Sequence, residues 1–201
     1  MNTKNIYFIT ATNTNVGKTR ASELLLKRFA KEGKKVGYFK PIETGVVDTP
    51  EDGSKMLSLT KILNPEFNVT IDDVVPYQFK LAAAPFVANT STPIDIEIIK
   101  EKAKYLHKFC DILIIEGAGG LMVPIKKDYF IIDLIEEFNC ETILISPSSL
   151  GSINDTLLSQ MALGSRNIKY KWYINLYKDK DTFHKVTLPF YKEYFSNIDF
   201  I

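Results

Sequence analysis

At 201 residues, with 25 basic and 24 acidic side chains and a net charge of +1, the chain suits one domain with a sizeable core and lacks the field of a nucleic-acid or membrane-surface binder. Cys110 and Cys140 lack metal-ligand spacing and adjoin apolar runs, which excludes a disulfide scaffold and fits buried thiols in a reducing cytosol. The N-terminal Met1–Asn5 leads into an apolar run of about five residues, too short for a signal sequence or a membrane span, so a cytoplasmic protein is expected.

The first strand is expected over Ile6–Thr10 and the first helix near residues 18–32. Between them, residues 11–19 read Ala-Thr-Asn-Thr-Asn-Val-Gly-Lys-Thr, a phosphate-binding loop. The general pattern G-x-x-x-x-G-K-[ST] would put Gly where Thr12 stands, and the strand–loop–helix context supports the assignment in spite of it. Backbone amides around Asn15, Val16 and Gly17 and the positive end of the helix dipole would gather phosphate oxygens. Lys18 would reach the terminal phosphates of a nucleoside triphosphate, and the Thr19 hydroxyl would ligate Mg²⁺.

A second strand, Val36–Lys40, runs into Lys40-Pro-Ile-Glu-Thr-Gly45, which puts an ammonium and a hydroxyl beside the same sheet edge. Lys40 is open to two readings, a solvated turn residue or a phosphate ligand. Residues 46–93 break the rhythm: Pro50, Pro65, Pro76, Pro85 and Pro93 punctuate them, and only Lys55–Leu63 has a helical pattern. Within this region Tyr77, Pro85 and the Ala82–Ala84 run fit either the wall of an aliphatic substrate channel or a loop packed on the sheet.

A helix near 94–108 precedes the third strand, Ile112–Glu116, which ends in Glu116-Gly-Ala-Gly-Gly120. Glu116 is placed to serve as a Mg²⁺-side carboxylate, and Gly117 and Gly119 let backbone approach a ligand. Then follow a helix near 129–138, a strand over Thr142–Ser146, a helix near 152–164 and a strand over Tyr170–Asn175; the Lys-rich stretch from Lys169 reads as a solvated face. The strands are almost continuously apolar, as in a parallel sheet covered on both faces. With no repeat or linker, residues 1–201 are expected to form one P-loop NTPase-like α/β domain, a doubly wound, mostly parallel sheet flanked by helices.

Taken together, the phosphate loop, Lys40–Gly45, Pro76-Tyr77, Glu116–Gly120, Leu150-Gly-Ser-Ile-Asn154 and Asn175 resemble the dethiobiotin synthetases in order and spacing over residues 5–176. The resemblance implies carboxylation of 7,8-diaminononanoate by CO₂, phosphorylation of the carbamate by ATP and closure of the ureido ring by the second amine. It implies that Lys18 and Lys40, with Thr14, clamp the reacting phosphate, and that Thr14 and Thr44 line the carbamate and phosphate site. Thr19 and Glu116 match Mg²⁺ ligands, Asn175 a residue that reads adenine, and Gly119 a wall shared by nucleotide and substrate. Leu150, Gly151, Ser152 and Asn154 match a helix start that receives the substrate carboxylate across a homodimer interface.

The chain departs from that family at three places. Ala11 stands where Gly is usual, which a negative φ permits. The third metal carboxylate, an Asp before a short Leu-rich helix, counts to Lys55, with Asp52 one turn upstream as the substitute; a water and a solvated acidic turn of Asp48, Glu51 and Asp52 form the alternative. Residues 178–201 lack the Gly-x-[IV]-Pro strand that completes the base pocket, which leaves base selectivity open. His107 and His184 read as surface or capping residues, and Trp172, Tyr170 and Tyr173 as core. Two rival functions remain, a nucleotide-switched ATPase of the partitioning or metallocluster-assembly type and a cobalamin-pathway amidase. The loop lacks the extra Lys of the first, and the length leaves no room for the glutaminase domain of the second.

Overall fold

The computed structural model describes residues 5–90 and 93–201, so the N-terminal Met1–Lys4 lies outside the described residues. In chain order the first half runs β1 (Ile6–Ala11), α1 (Lys18–Lys31), β2 (Val36–Phe39), β3 (Ile42–Thr44), α2 (Glu51–Leu63), α3 (Ile71–Val74), β4 (Tyr77–Phe79), α4 (Pro85–Ala88) and α5 (Ile96–Leu106). The second half runs β5 (Ile112–Gly120), β6 (Pro124–Lys126), β7 (Tyr129–Phe130), α6 (Ile131–Phe138), β8 (Glu141–Pro147), α7 (Ser152–Ser165), β9 (Tyr170–Asn175), α8 (Lys180–Thr182), α9 (Leu188–Tyr194) and β10 (Asp199–Phe200). Six strands form a parallel sheet in the order β10-β9-β8-β1-β5-β2, so the expected doubly wound fold is present.

The reason lies in the strand composition. Ile112 to Ile115 and Ile143 to Ile145 are buried at every position, alternate or not, which only a sheet covered on both faces permits. The helices supply the cover through apolar residues three or four apart: Ile96, Ile99, Ala103 and Leu106 are the buried face of α5, whose first turn is capped by Asp95 accepting from the Glu97 amide. The α6 helix buries five of its apolar side chains and ends on Asn139 in the left-handed region, φ 43°.

Several element bounds differ from the sequence pattern, each for a local reason. The third central strand does not stop at Glu116 but continues to Gly120, because Ala11 of β1 pairs with Gly120 beyond an irregularity that follows Ile9 and Glu116. The α2 helix starts at Glu51 rather than Lys55, its first amides held by Glu43, which accepts from Asp52 and Gly53 at 3.0 and 2.9 Å. Asp48 apart, the acidic turn is therefore a helix start. The irregular stretch beyond it contains a small parallel pair, β3 with β4, and the short helices α3 and α4. Tyr129 and Phe130 pair with β6 before α6 begins. At the other end of the chain, β10 adds a short sixth strand beside β9, pairing Asp199 with Tyr173 and Phe200 with Ile174.

The C-terminal elements build a second, aromatic core. Trp172 meets Tyr191 edge-on at 5.2 Å and Phe195 at 4.6 Å, and its indole N–H donates to Ser146. Core packing is thus the role of Trp172. His107 caps the end of α5 and His184 lies exposed in a π-helical turn, and neither approaches the residues described next. Both thiols are free, and burial pushes each up to about 12, so neither is a ready nucleophile.

Candidate functional site

The phosphate loop leaves the carboxyl end of β1. Ala11 is the last residue of that strand and is absent from the positive-φ residues, so its methyl group is accommodated without strain. Asn15 and Gly17 take the left-handed region at φ 58° and 109°, turning the chain so that Gly17 caps α1. That cap uses no side chain and the first turn of α1 carries no acid, which leaves its amide end open to an anion. Lys18 is buried and its ammonium donates to the Asn13 carbonyl at 3.3 Å. Burial lowers Lys18 to about 8, opposed by Glu116 and reinforced by the nearby Lys40 charge.

Glu116 is the centre of the site. Its carboxylate has no exposed surface and accepts four hydrogen bonds: Thr19 Oγ1 (2.9 Å) and Lys40 Nζ (2.8 Å) on one oxygen, Ser22 Oγ (2.8 Å) and Tyr38 OH (3.0 Å) on the other. Two of these donors come from α1 and two from β2 and its end, so the carboxylate joins the loop helix to the neighbouring strand. Lys40 is also buried and reaches Asp52 Oδ2 at 2.9 Å. Burial works against the Lys40 charge, yet Glu116 and Asp52 overcome it and hold the ammonium above the usual lysine range. Asp52, although burial pushes its carboxyl up, is held below the usual range by Lys40. The solvated-turn reading of Lys40 is therefore wrong.

These groups open onto a cavity of about 850 Å³. Of the sequence-derived site residues, Thr14, Asn15, Gly17, Lys18 and Thr19 line it from the loop, Lys40, Thr44 and Asp52 from β2, β3 and α2, and Glu116, Gly117 and Gly119 from β5. Gly119 is required there: φ is 68° and a Cβ would come within 2.6 Å of Val123. Ala82, Ala83, Ala84 and Pro85 add the apolar wall, whereas Tyr77 does not line it and instead bonds the backbone of Asp95 through its hydroxyl. The Val16 side chain is buried in the core, so only its backbone is available to a ligand.

Other expected site residues lie outside the cavity. Asn175 is buried under the loop: its Nδ2 donates to Val16 O at 2.8 Å, and it packs so tightly on Gly17 that a Cβ there would fall 2.1 Å from Nδ2. Leu150, Gly151, Ser152 and Asn154 start α7 elsewhere on the same sheet edge. Leu150 is exposed, Gly151 has φ 91°, and Ser152 turns inward to accept from Tyr191, so its hydroxyl is committed within the chain. Lys55 points outward and pairs with Glu23 at 3.4 Å, away from the carboxylates.

Three residues of the site went unassigned in the sequence. Tyr38 precedes Lys40 by two positions, hence on the same face of the strand, and Ser22 follows Thr19 by one helical turn; both spacings carry the signal. Glu43 lies inside the Lys40–Gly45 segment and acts as the anchor of α2, its carboxyl raised by burial.

Oxygen donors alone converge here, from Thr19, Glu116 and Asp52, the two carboxylates already sharing one cation in Lys40. That set suits a hard divalent ion such as Mg²⁺. Among the described residues there is no group of three or more His, Cys, Asp or Glu side chains able to hold a metal by themselves, so phosphate and water oxygens would complete any coordination shell.

A family model described as an AAA domain matches residues 5–181. The ATP-dependent dethiobiotin synthetase BioD of Sulfurovum sp. (strain NBC37-1) is 51% identical over 189 residues, covering 94% of this chain and 90% of that protein. The protein of the same name from Helicobacter pylori (strain Shi470) is 37% identical over 190 residues, covering 91% and 86%. Among solved structures, a putative plasmid partition protein from Borrelia burgdorferi B31 bound to AMPPNP is similar at TM-score 0.59 and 17% identity, over 98% of this chain and 86% of that one. The MinD cell division protein of Aquifex aeolicus is similar at TM-score 0.54 and 17% identity, over 93% and 77%. These structural likenesses are of fold.

Proposed function

The chain belongs to the ATP-dependent dethiobiotin synthetase family, and we propose that the Lys40–Glu116 cavity is where it carries out that family's reaction. It is a ligase of biotin synthesis that consumes ATP in forming dethiobiotin. The observation that carries the site assignment is Lys40, an ammonium held by two carboxylates at the wall of a cavity that the phosphate loop also lines.

The chemistry follows from the charges. One amine of 7,8-diaminononanoate takes up CO₂ to give a carbamate, whose oxygen attacks the terminal phosphorus of ATP with ADP leaving. The second amine then attacks the carbonyl carbon, the C–O bond to phosphate breaks, and the ring closes with release of phosphate. The phosphoryl transfer brings two anions together, and the chain meets them with the Lys18 and Lys40 ammonium groups and the open amide end of α1. Thr14, Thr44 and Gly119 line the path of the carbamate, and the Ala82–Ala84 wall faces the aliphatic chain. Thr19, Glu116 and Asp52 would hold Mg²⁺, which when bound neutralises phosphate charge.

Asn175 is the residue for the adenine edge. The α7 start, Leu150 to Asn154, would take the substrate carboxylate from the second subunit of a homodimer, with its backbone amides rather than the Ser152 hydroxyl. The protein works in the cytoplasm, in keeping with its balanced charge; among the described residues no helix is long and apolar enough to cross a membrane. The test is isotopic. With ¹⁸O-labelled bicarbonate, diamine, Mg²⁺ and ATP, each turnover should yield dethiobiotin and place one labelled oxygen in the released phosphate. Unlabelled phosphate alongside product would overturn the anhydride route.

A further inference from the structure

An exposed aromatic ring stands beside the phosphate loop, outside the cavity. The Arg20 guanidinium lies 5.6 Å from the centroid of the Tyr177 ring. Arg20 follows Thr19 in the first turn of α1, is exposed, and makes no ion pair among the described residues. Tyr177 comes two residues after Asn175, the last of β9, and is 63% exposed, so a ring backed by a cation on one face keeps the other face free.

Asn175 ties that ring to the loop. Its amide nitrogen is fixed on Val16 O, while its Oδ1 is buried with no hydrogen-bond partner in a residue only 8% exposed. A buried acceptor without a donor is costly, so this atom calls for a water or a ligand donor beside the loop. The sheet order sets the direction of the ligand. Lys40 and Glu116 stand at β2 and β5 on one side of β1, Asn175 and Tyr177 at β9 on the other. A triphosphate whose terminal phosphate faces Lys18 and Lys40 therefore sends its sugar and base toward β9.

Resting on the nucleotide reading of the phosphate loop, we propose that Tyr177, backed by Arg20, is the stacking platform for the nucleobase. Every base has a π-face, so a platform of this kind supplies affinity with little regard to base identity. The enzyme accordingly holds both purine triphosphates by the same ring.

The test compares ATP, GTP and inorganic tripolyphosphate binding by calorimetry to the wild type, Tyr177→Ala and Tyr177→Trp. Tyr177→Ala should weaken ATP and GTP alike, by about tenfold, with tripolyphosphate unchanged, and Tyr177→Trp should bind both nucleotides at least as tightly as the wild type. ATP affinity within about twofold of wild type in Tyr177→Ala, or an equal loss for tripolyphosphate, overturns the platform. Wild-type protein that binds tripolyphosphate as tightly as ATP overturns it too while sparing the phosphate loop, and wild-type protein that binds neither overturns the nucleotide reading and the platform with it.

Discussion

Lys40 Nζ lies 2.8 Å from Glu116 Oε1, a contact between a lysine 5% exposed and a carboxylate with no exposed surface. Neither charge could be kept there alone, because a buried ion without its partner is strongly destabilising. The pair is thus structural, and under the proposed mechanism Lys40 also meets the developing charge. Lys40→Ala should lower kcat by roughly 10²–10³, the range for removing one preorganised donor to developing charge. It should also reduce stability by about 3–5 kcal/mol, since Glu116 loses its counter-charge. Steady-state kinetics with a urea titration on the same preparation separate the two effects; a loss of turnover below about threefold with folding intact removes Lys40 from the chemistry.

The metal assignment turns on Asp52 against Lys55. Asp52 shares Lys40 with Glu116, whereas Lys55 faces Glu23. Asp52→Asn should therefore raise the Mg²⁺ concentration for half-maximal activity by about tenfold or more, as loss of one carboxylate ligand would. Lys55→Ala should leave that curve where it was. A Mg²⁺ requirement unchanged by Asp52→Asn returns Asp52 to the role of a partner for Lys40.

Lys18 makes nucleotide binding pH-dependent. In the free protein burial lowers its ammonium to about 8, against 10.5 for an ordinary lysine. A phosphate within reach favours the charged form and draws the value back up. Above pH 8 the free protein has lost this proton and the complex has regained it, so ATP binding at pH 9 should take up close to one proton, and at pH 7 almost none. The same sign makes affinity fall as pH rises through about 8. Calorimetry in buffers of different ionisation enthalpy reads the uptake directly, and equal heats in all of them at pH 9 would contradict it.

The α7 start predicts assembly. Gly151 at φ 91° caps that helix without a side chain, Leu150 is 79% exposed beside it, and neither lines the cavity of its own chain. A two-fold homodimer bringing this end to its partner's cavity is expected. Light scattering should report the dimer at working concentration, and a fully active monomer would rule out the shared site.

Much of this was legible in sequence because the informative residues are local in the chain. The loop, the Lys40–Gly45 segment and Glu116–Gly120 each announce their chemistry within a few positions, and apolar runs such as Ile112–Ile115 announce a two-sided sheet. What escaped depends on distant contacts. The start of α2 at Glu51 is set by Glu43 across a loop, and at Gly53 a Cβ would fall 2.3 Å from Val75. The extension of β5 past Glu116 depends on β1, and the β10 pairing on an edge only the folded sheet presents. Asn175 reads as a strand terminus in sequence, but its contact with Val16 spans 159 positions.

One consequence concerns the order in which the molecule comes together. β1 and β2 are early neighbours in the chain but never pair; the slot between them is filled by β5, which arrives more than a hundred positions after β1 begins. Late closure of a long segment is the slow, entropically expensive step of such topologies. Glu116 rides on that segment and meets Thr19, Ser22, Tyr38 and Lys40 only when it docks. A chain that has collapsed around α1 and β2 without inserting β5 carries an intact phosphate loop and two lysines with no carboxylate between them. Completion of the site is thereby tied to the docking of β5, and not to the local formation of the phosphate loop alone.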